Sequence, residues 1–240
     1  MIHMILLNLY KKLNKISYIF IGISLIIISV LGYYNANFKI KNVEIKLNFD
    51  FYTANYITEM LEIITFIILF FIILLCLMET LQNTNNFDCY FITVKSRLSV
   101  IISKIINYLI IIFFYMLNVY IIVSLIALIR FKNTLIITYL FKIFFYHLFE
   151  VYSIFLLTFL LVILTNNSFS ILLTIAIYIL LKIDLPDKIA KVVKYLFLEP
   201  AVSPFNHLVS LDIKTPFIIL YYSLLIISII TIYLFKDIKC

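Results

Sequence analysis

Residues 105–129 have the sequence IINYLIIIFFYMLNVYIIVSLIALI, a stretch of 25 residues without a charged side chain. A helix of ~20 mostly apolar residues is long enough to cross the ~30 Å hydrocarbon core of a bilayer. Only a helix satisfies all of its own backbone hydrogen bonds within one such segment in contact with lipid. The stretch is therefore predicted to be a membrane-spanning helix.

The rest of the chain has the same character. Of its 240 residues 65% are apolar and 13% are charged, and the mean hydropathy is +1.16. A soluble domain has about 25% charged residues. We predict an all-α polytopic membrane protein that forms a single transmembrane domain over residues 1–240. Its six predicted transmembrane helices are 17–34, 61–78, 105–129, 148–165, 168–181 and 216–235. None of these windows carries a central charge, which argues against a proton-coupled carrier.

The glycine content excludes several classes of enzyme. Gly22 and Gly32 are the only glycines in the sequence. The chain therefore has no phosphate-binding loop, no dinucleotide-binding fingerprint and no nucleophile elbow. We predict a protein that is not an enzyme and binds no cofactor, so that any ATP it depends on is bound by another polypeptide.

One pair of side chains has the spacing of a metal or proton site. His147 and Glu150 are three residues apart and lie on one helical face near the predicted start of the fourth span. A polar pair at the membrane interface explains the same spacing. No third ligand follows nearby, and Cys76, Cys89 and Cys240 are not spaced as ligands. We therefore predict no metal site.

Three connecting segments have distinct patterns. Residues 1–16 place apolar side chains on one helical stripe and lysines on another, which predicts an interfacial helix. That helix is either a connecting helix that moves with an attached motor or a topology anchor. Residues 43–51, VEIKLNFDF, alternate strictly, which predicts a strand. It belongs either to a hairpin over a substrate exit or to a strand on the outer leaflet. In segment 182–215 an apolar stripe predicts an external amphipathic helix between spans 5 and 6.

The charges near the first span set the predicted orientation. Lys11, Lys12 and Lys15 precede this span, which favours a cytoplasmic N-terminus. Six crossings then place the C-terminus in the cytoplasm as well. The total number of Lys and Arg residues is higher in the external segments, and Arg130 and Lys132 are the external charges that fit this orientation least. We predict a plasma-membrane protein with both termini in the cytoplasm.

Segment 79–104, ETLQNTNNFDCYFITVKSRLSVIISK, is the long cytoplasmic connection in this topology. It contains acidic, aromatic and basic side chains at spacings typical of a docking surface for another protein. The alternative is a solvated loop whose charges flank the spans. The residues that define the pattern are Glu79, Phe87, Asp88, Tyr90, Phe91, Ser96, Arg97 and Lys104.

This segment resembles the corresponding loop of type-2 ABC transporter permeases. The matching positions are Glu79, Asp88, Ser96, Arg97 and Lys104, whereas Asn85-Asn86 and Val94 depart from the family pattern. The six-span layout and the interfacial N-terminal helix are also similar. The resemblance implies that residues near 85–98 form a coupling helix in a groove of a separate ATP-binding subunit. Phe87, Tyr90 and Phe91 would be its apolar anchors, and Asp88 and Arg97 would pair with opposite charges.

The resemblance implies the membrane permease subunit of an ATP-driven ABC exporter. A partner ATPase would bind ATP and Mg, and a second, identical or related permease would complete a dimer. The apolar surface favours an amphipathic or hydrophobic cargo, such as an antimicrobial peptide, a lipid-like molecule or a drug. Membrane lipids are expected partners and nucleic acid is not. The alternative is a non-transporting membrane scaffold or immunity protein that binds a partner.

Overall fold

The protein is described from a computed structural model that defines residues 15–41, 49–84, 96–131, 135–165, 167, 169–180, 195–198, 201–203, 208–210 and 215–235. Within these ranges the elements are helices, apart from one short hairpin. The helices are α1 (Lys15–Lys41), α2 (Phe49–Thr84), α3 (Arg97–Phe131), α4 (Leu135–Thr165), α5 (Phe169–Leu180) and α6 (Thr215–Phe235). The hairpin strands are β1 (Ala201–Ser203) and β2 (Leu208–Ser210), paired antiparallel.

Five helices contain segments with the length and composition of membrane spans. These segments are Ile19–Asn37, Tyr56–Thr80, Arg97–Phe131, Leu140–Thr165 and Pro216–Phe235. The chain is thus helical and has the character of a multi-pass membrane protein, as the sequence predicts. The fifth predicted window forms α5, whose 12 residues cover only ~18 Å at 1.5 Å per residue.

Helix α4 is the centre of the bundle and packs against α2, α3, α5 and α6. The buried share of its span is 61%, against 22% for the spans of α1 and α6. The two peripheral helices carry outward apolar side chains, including Ile26 on α1 and Ile219 on α6. This distribution is expected where lipid, which is as apolar as leucine, replaces water around the bundle.

The strand prediction for residues 43–51 is wrong at its C-terminal end. Phe49 begins α2, so residues 49–51 are helical, whereas residues 43–48 lie outside the described part. The nine residues alternate with a period of two, which favours a strand. The residues that follow on α2, Tyr56, Ile57 and Met60, are buried in the bundle. Packing of this longer helix outweighs the local strand pattern.

The predicted 79–104 loop is partly helical. Residues 79–84 continue α2, and residues 97–104 belong to α3. The helices therefore extend towards the middle of the predicted coupling segment from both sides. Residues 85–95 lie outside the described part, as do the predicted interfacial helix at 1–14 and residues 181–194 of the predicted external helix.

The end of that external segment is described and is buried. Residues 195–197 form a helical turn that ends at Leu198, whose φ of 54° lies in the left-handed region often found at helix C-termini. Phe197 packs edge-on against Tyr178 of α5, and Tyr221 of α6 donates a hydrogen bond to the Leu196 carbonyl. The turn therefore packs against both α5 and α6.

Gly32 allows a close approach of α1 to its neighbours. A Cβ atom at this position would lie 3.2 Å from the Ile126 side chain, 3.2 Å from the Tyr56 hydroxyl and 3.4 Å from the Met60 methyl group. Gly22, on the same helix, has nothing within 4 Å of its Cβ position. Small residues at helix contacts in membranes commonly allow such close packing.

We expect Gly32→Leu to destabilise the bundle and Gly22→Leu to leave it intact. Overpacking a close contact costs ~1–3 kcal/mol, whereas leucine at an open helical position improves helix propensity. The measurement is thermal unfolding of both variants in detergent, followed by size-exclusion chromatography. Equal melting temperatures for the two variants would contradict the close contact at Gly32.

Candidate functional site

A buried ion pair joins the C-terminal part of α2 to the first turns of α3. Lys104 Nζ lies 2.5 Å from Glu79 Oε1, and the Tyr108 hydroxyl donates to Glu79 Oε2 at 2.6 Å. The side chains of Lys104 and Glu79 are 5% and 1% exposed. We call Glu79, Lys104 and Tyr108 the basal cluster. Both oxygens of the carboxylate are thus engaged by donors from α3.

Burial makes the basal cluster sensitive to the loss of either charge. Removing one partner of a buried ion pair leaves an uncompensated charge and costs ~3–5 kcal/mol, although replacing both can be neutral. The hydroxyl of Tyr108 lowers the cost of burial because it satisfies the second carboxylate oxygen. The cluster therefore holds α2 and α3 in one arrangement.

Two basic side chains near the basal cluster also contact α6, the last helix of the bundle. Lys104 Nζ lies 5.8 Å from the centroid of the Tyr233 ring, within the range of a cation–π contact. Arg97 Nη1 donates to the Leu234 carbonyl at 3.4 Å, a long hydrogen bond near the C-terminal end of α6. A cation at that end also complements the helix dipole. Three helices thus meet around two of the predicted coupling residues.

Ser96 caps the N-terminus of α3. Its hydroxyl accepts the backbone N–H of Ser99 at 3.4 Å, and its carbonyl accepts the N–H of Val100 at 3.2 Å. Serine is among the best N-cap residues because its side chain satisfies an otherwise unpaired backbone donor. The Ser96-Arg97 pair, which belongs to the pattern of segment 79–104, therefore lies at the start of α3, and Arg97 connects that start to α6.

The predicted site residues divide into two groups. Glu79, Ser96, Arg97 and Lys104 lie in the described part, where the structure brings Glu79 and Lys104 into direct contact. Phe87, Asp88, Tyr90 and Phe91 lie outside it, and their role as anchors and charge partners stays a prediction.

Sequence reasoning missed Tyr108 and Tyr233. Tyr108 follows Lys104 by four residues and so shares its helical face, which was a signal available in the sequence. Tyr233 has no such signal, because its contact depends on how α6 packs against α3.

Ser103 and Asn107 lie nearby on α3, and their buried side-chain polar atoms have no hydrogen-bond partner among the described residues. Buried polar atoms without a hydrogen-bond partner are uncommon in folded proteins. The contact surface of α3 at this position is therefore partly polar.

A second polar cluster lies further along the bundle. His147 on α4 contacts Thr65 Oγ1 through Nε2 at 3.0 Å and the Tyr120 hydroxyl through Nδ1 at 2.8 Å. The Thr65 hydroxyl donates to the Leu61 carbonyl, so it accepts from Nε2–H of His147. We call Thr65, Tyr120 and His147 the central cluster.

Glu150 lies within the membrane-spanning part of α4. It is 4% exposed and accepts a hydrogen bond from the Tyr178 hydroxyl of α5 at 2.5 Å. The expectation that no span carries a central ionisable group is therefore wrong for the fourth span. The sequence window began at residue 148, but α4 starts at Leu135 and its apolar span at Leu140. The longer helix places His147 and Glu150 well inside it.

The arrangement around His147 does not resemble a metal site. Both ring nitrogens already bond to protein hydroxyls, and within the described ranges no group of three His, Cys, Asp or Glu side chains comes together. The pair instead links α4 to α2, α3 and α5. Intramembrane ionisable residues are functional candidates by default, and here hydrogen bonds with the hydroxyls of Thr65, Tyr120 and Tyr178 hold them.

Comparison with known proteins gives no assignment. No family model matches the chain, and no curated protein or solved structure matches it. The resemblance to ABC permeases therefore rests on the residues of segment 79–104 and on the layout of the spans.

We expect Lys104→Met to lower the free energy of unfolding by ~3–5 kcal/mol, because it leaves the Glu79 carboxylate buried without its cation. The double variant Glu79→Gln/Lys104→Met should recover most of this loss, since Tyr108 still donates to the amide oxygen. Lys142→Met, which removes an exposed lysine of α4, is the matched control. The measurement is the melting temperature of each variant in detergent. If the double variant loses as much stability as the single variants Lys104→Met and Glu79→Gln combined, the two residues of the pair are not coupled.

Proposed function

We propose that this chain is the membrane subunit of an ATP-driven exporter of the type-2 ABC class. The observation that carries the proposal is the basal cluster, which joins the two helices on either side of the predicted coupling segment. A separate ATPase subunit would bind ATP and Mg. The chain itself would catalyse no covalent reaction.

The basal cluster supports a mechanical role for the segment between α2 and α3. A force on residues 85–95 would act on the C-terminal end of α2 and the N-terminal end of α3 together, because Glu79 and Lys104 hold these ends in contact. The contacts of Lys104 and Arg97 with α6 would pass the same displacement to a third helix. ATP-driven closure of two ATPase subunits would then move the helices as rigid bodies between two states.

The proposed assembly contains two permease subunits, identical or related. The exposed apolar surfaces of α1 and α6 are available for lipid and for a second subunit. The cargo is amphipathic or hydrophobic: a peptide with antimicrobial activity, a lipid-like molecule or a drug. Its path would lie at the shared face of the two subunits.

The proposed topology has six crossings in the plasma membrane, with both termini in the cytoplasm. In this topology α5 and the residues after it make the fifth crossing, and the basal cluster lies on the cytoplasmic side. The interfacial helix at the N-terminus and the external amphipathic helix before α6 complete the proposed layout.

We expect Arg97→Glu and Asp88→Arg each to reduce recovery of the partner ATPase about tenfold or more, as for loss of a charge pair in an interface. Lys142→Glu reverses an exposed charge elsewhere and should leave recovery unchanged. The measurement is the amount of ATPase that co-purifies with each tagged variant from native membranes. Membrane insertion and the size-exclusion profile should match the wild type.

Recovery of the ATPase at the wild-type level by both Arg97→Glu and Asp88→Arg would remove these residues from the interface. If only Arg97→Glu reduces recovery and the melting temperature falls as well, the effect arises from the contact between Arg97 and α6.

A further inference from the structure

A groove between α1 and α3 is lined by apolar and aromatic side chains. Its volume is about 600 Å³, and its lining includes Val30, Tyr33 and Tyr34 of α1 together with Ile122, Leu125 and Ile129 of α3. Small-molecule sites in proteins have volumes of ~300–1,000 Å³. Val30 is 62% and Ile129 71% exposed, so the groove opens on the outer surface of the bundle, where lipid contacts a membrane protein.

A positive charge lies beside this groove. The Arg130 guanidinium carbon lies 4.0 Å from the centroid of the Tyr33 ring, so the guanidinium stacks on an aromatic side chain that lines the groove. Arg130 Nε is buried and has no hydrogen-bond partner in the described part of the chain. None of the described residues that line the groove is acidic. The guanidinium thus combines a fixed position with an unused donor.

The depth of Arg130 in the bilayer matches that of a lipid headgroup, and the depth of the groove matches that of the acyl chain. With the uncharged stretch 105–129 centred on the bilayer, Arg130 lies ~20 Å from the middle at 1.5 Å per residue. The hydrocarbon ends ~15 Å from the middle and the headgroups extend to ~20–22 Å. Arg130 is therefore at headgroup level, and the lining residues Ile122 and Leu125, at ~8 and ~12 Å from the middle, lie within the hydrocarbon.

We propose that the groove binds an anionic phospholipid, with one acyl chain between α1 and α3 and the phosphate on Arg130. Guanidinium groups bind phosphate through charge-assisted hydrogen bonds of defined geometry, and basic pockets between membrane helices bind lipid headgroups. Charge complementarity distinguishes this occupant from an apolar helix of a second subunit, which would cover the guanidinium without supplying a negative charge. The site also gives a reason for the positive charge of Arg130 on the external side, where the preference of Lys and Arg for cytoplasmic segments does not explain it.

The test is native mass spectrometry of the full-length wild-type chain in detergent, with dioleoyl phosphatidylglycerol or dioleoyl phosphatidylcholine added at equal concentrations. We expect the wild type to retain phosphatidylglycerol preferentially. Arg130→Gln should reduce its retention about tenfold, the effect of losing a hydrogen bond to a charged group. Arg130→Lys should retain more than Arg130→Gln, because it keeps the charge.

Val30→Trp tests the groove separately from the charge. The indole would occupy the space of the acyl chain, so lipid retention should fall although Arg130 is present. Ile219→Trp, on the outward face of α6 at 67% exposure, is the matched control and should retain lipid as the wild type does.

Two results would overturn the proposal. The first is equal retention of the two lipids by the wild type, or undiminished phosphatidylglycerol retention by Arg130→Gln. The second is a change from dimer to monomer in Val30→Trp with lipid retention unchanged, which would show that a second copy of the chain occupies the groove. Neither result bears on ATPase recovery, so the site is tested independently of the proposed transport function.

Discussion

The ion pair between Glu79 and Lys104 holds together the two helices that flank segment 85–95, and it does so where neither charge is solvated. In an apolar environment such a pair is retained only when the geometry is good and the remaining lone pairs are satisfied. Tyr108 meets the second condition through the other carboxylate oxygen. Because Lys104 also lies near the Tyr233 ring, the position of α6 depends on the same lysine.

Tyrosine hydroxyls make most of the other hydrogen bonds between the described helices. The chain has 18 tyrosines and two glycines, so it can rarely use glycine for close helix packing. An interhelical hydrogen bond in a membrane contributes about 0.6 kcal/mol on average, and here such bonds recur along the bundle. They join Tyr115 to Ser24, Tyr120 to His147, Tyr152 to the Leu109 carbonyl, Tyr178 to Glu150 and Tyr222 to the Phe149 carbonyl.

Hydropathy predicted the five helices that are long and apolar enough to cross a membrane, because lipid imposes a simple requirement on length and composition. It did not predict where α2 and α4 begin. The alternation before Phe49 is a local pattern, whereas the start of the helix depends on packing around Tyr56. His147 and Glu150 lower the hydropathy of the fourth span, yet tertiary hydrogen bonds allow the helix to continue through them. A window based on apolar residues alone therefore began too late.

The charged members of the candidate site could be predicted, but their arrangement could not. Glu79 and Lys104 are conspicuous because they lie where two apolar stretches end, and the family resemblance marked both. Their direct contact, however, depends on the registration of α2 against α3. Tyr233 is 129 residues from Lys104 in the sequence, so only the packing of α6 reveals it. The same is true of Arg130 and Tyr33, whose contact joins two different helices.

The most direct test of the account is affinity purification of the tagged chain from its native membrane in a mild detergent, with mass spectrometry of the proteins recovered. The account predicts stoichiometric recovery of an ABC-type ATPase that carries a phosphate-binding loop. Repeated recovery of the intact chain without such an ATPase would contradict the transport function and favour a membrane scaffold that binds a different partner.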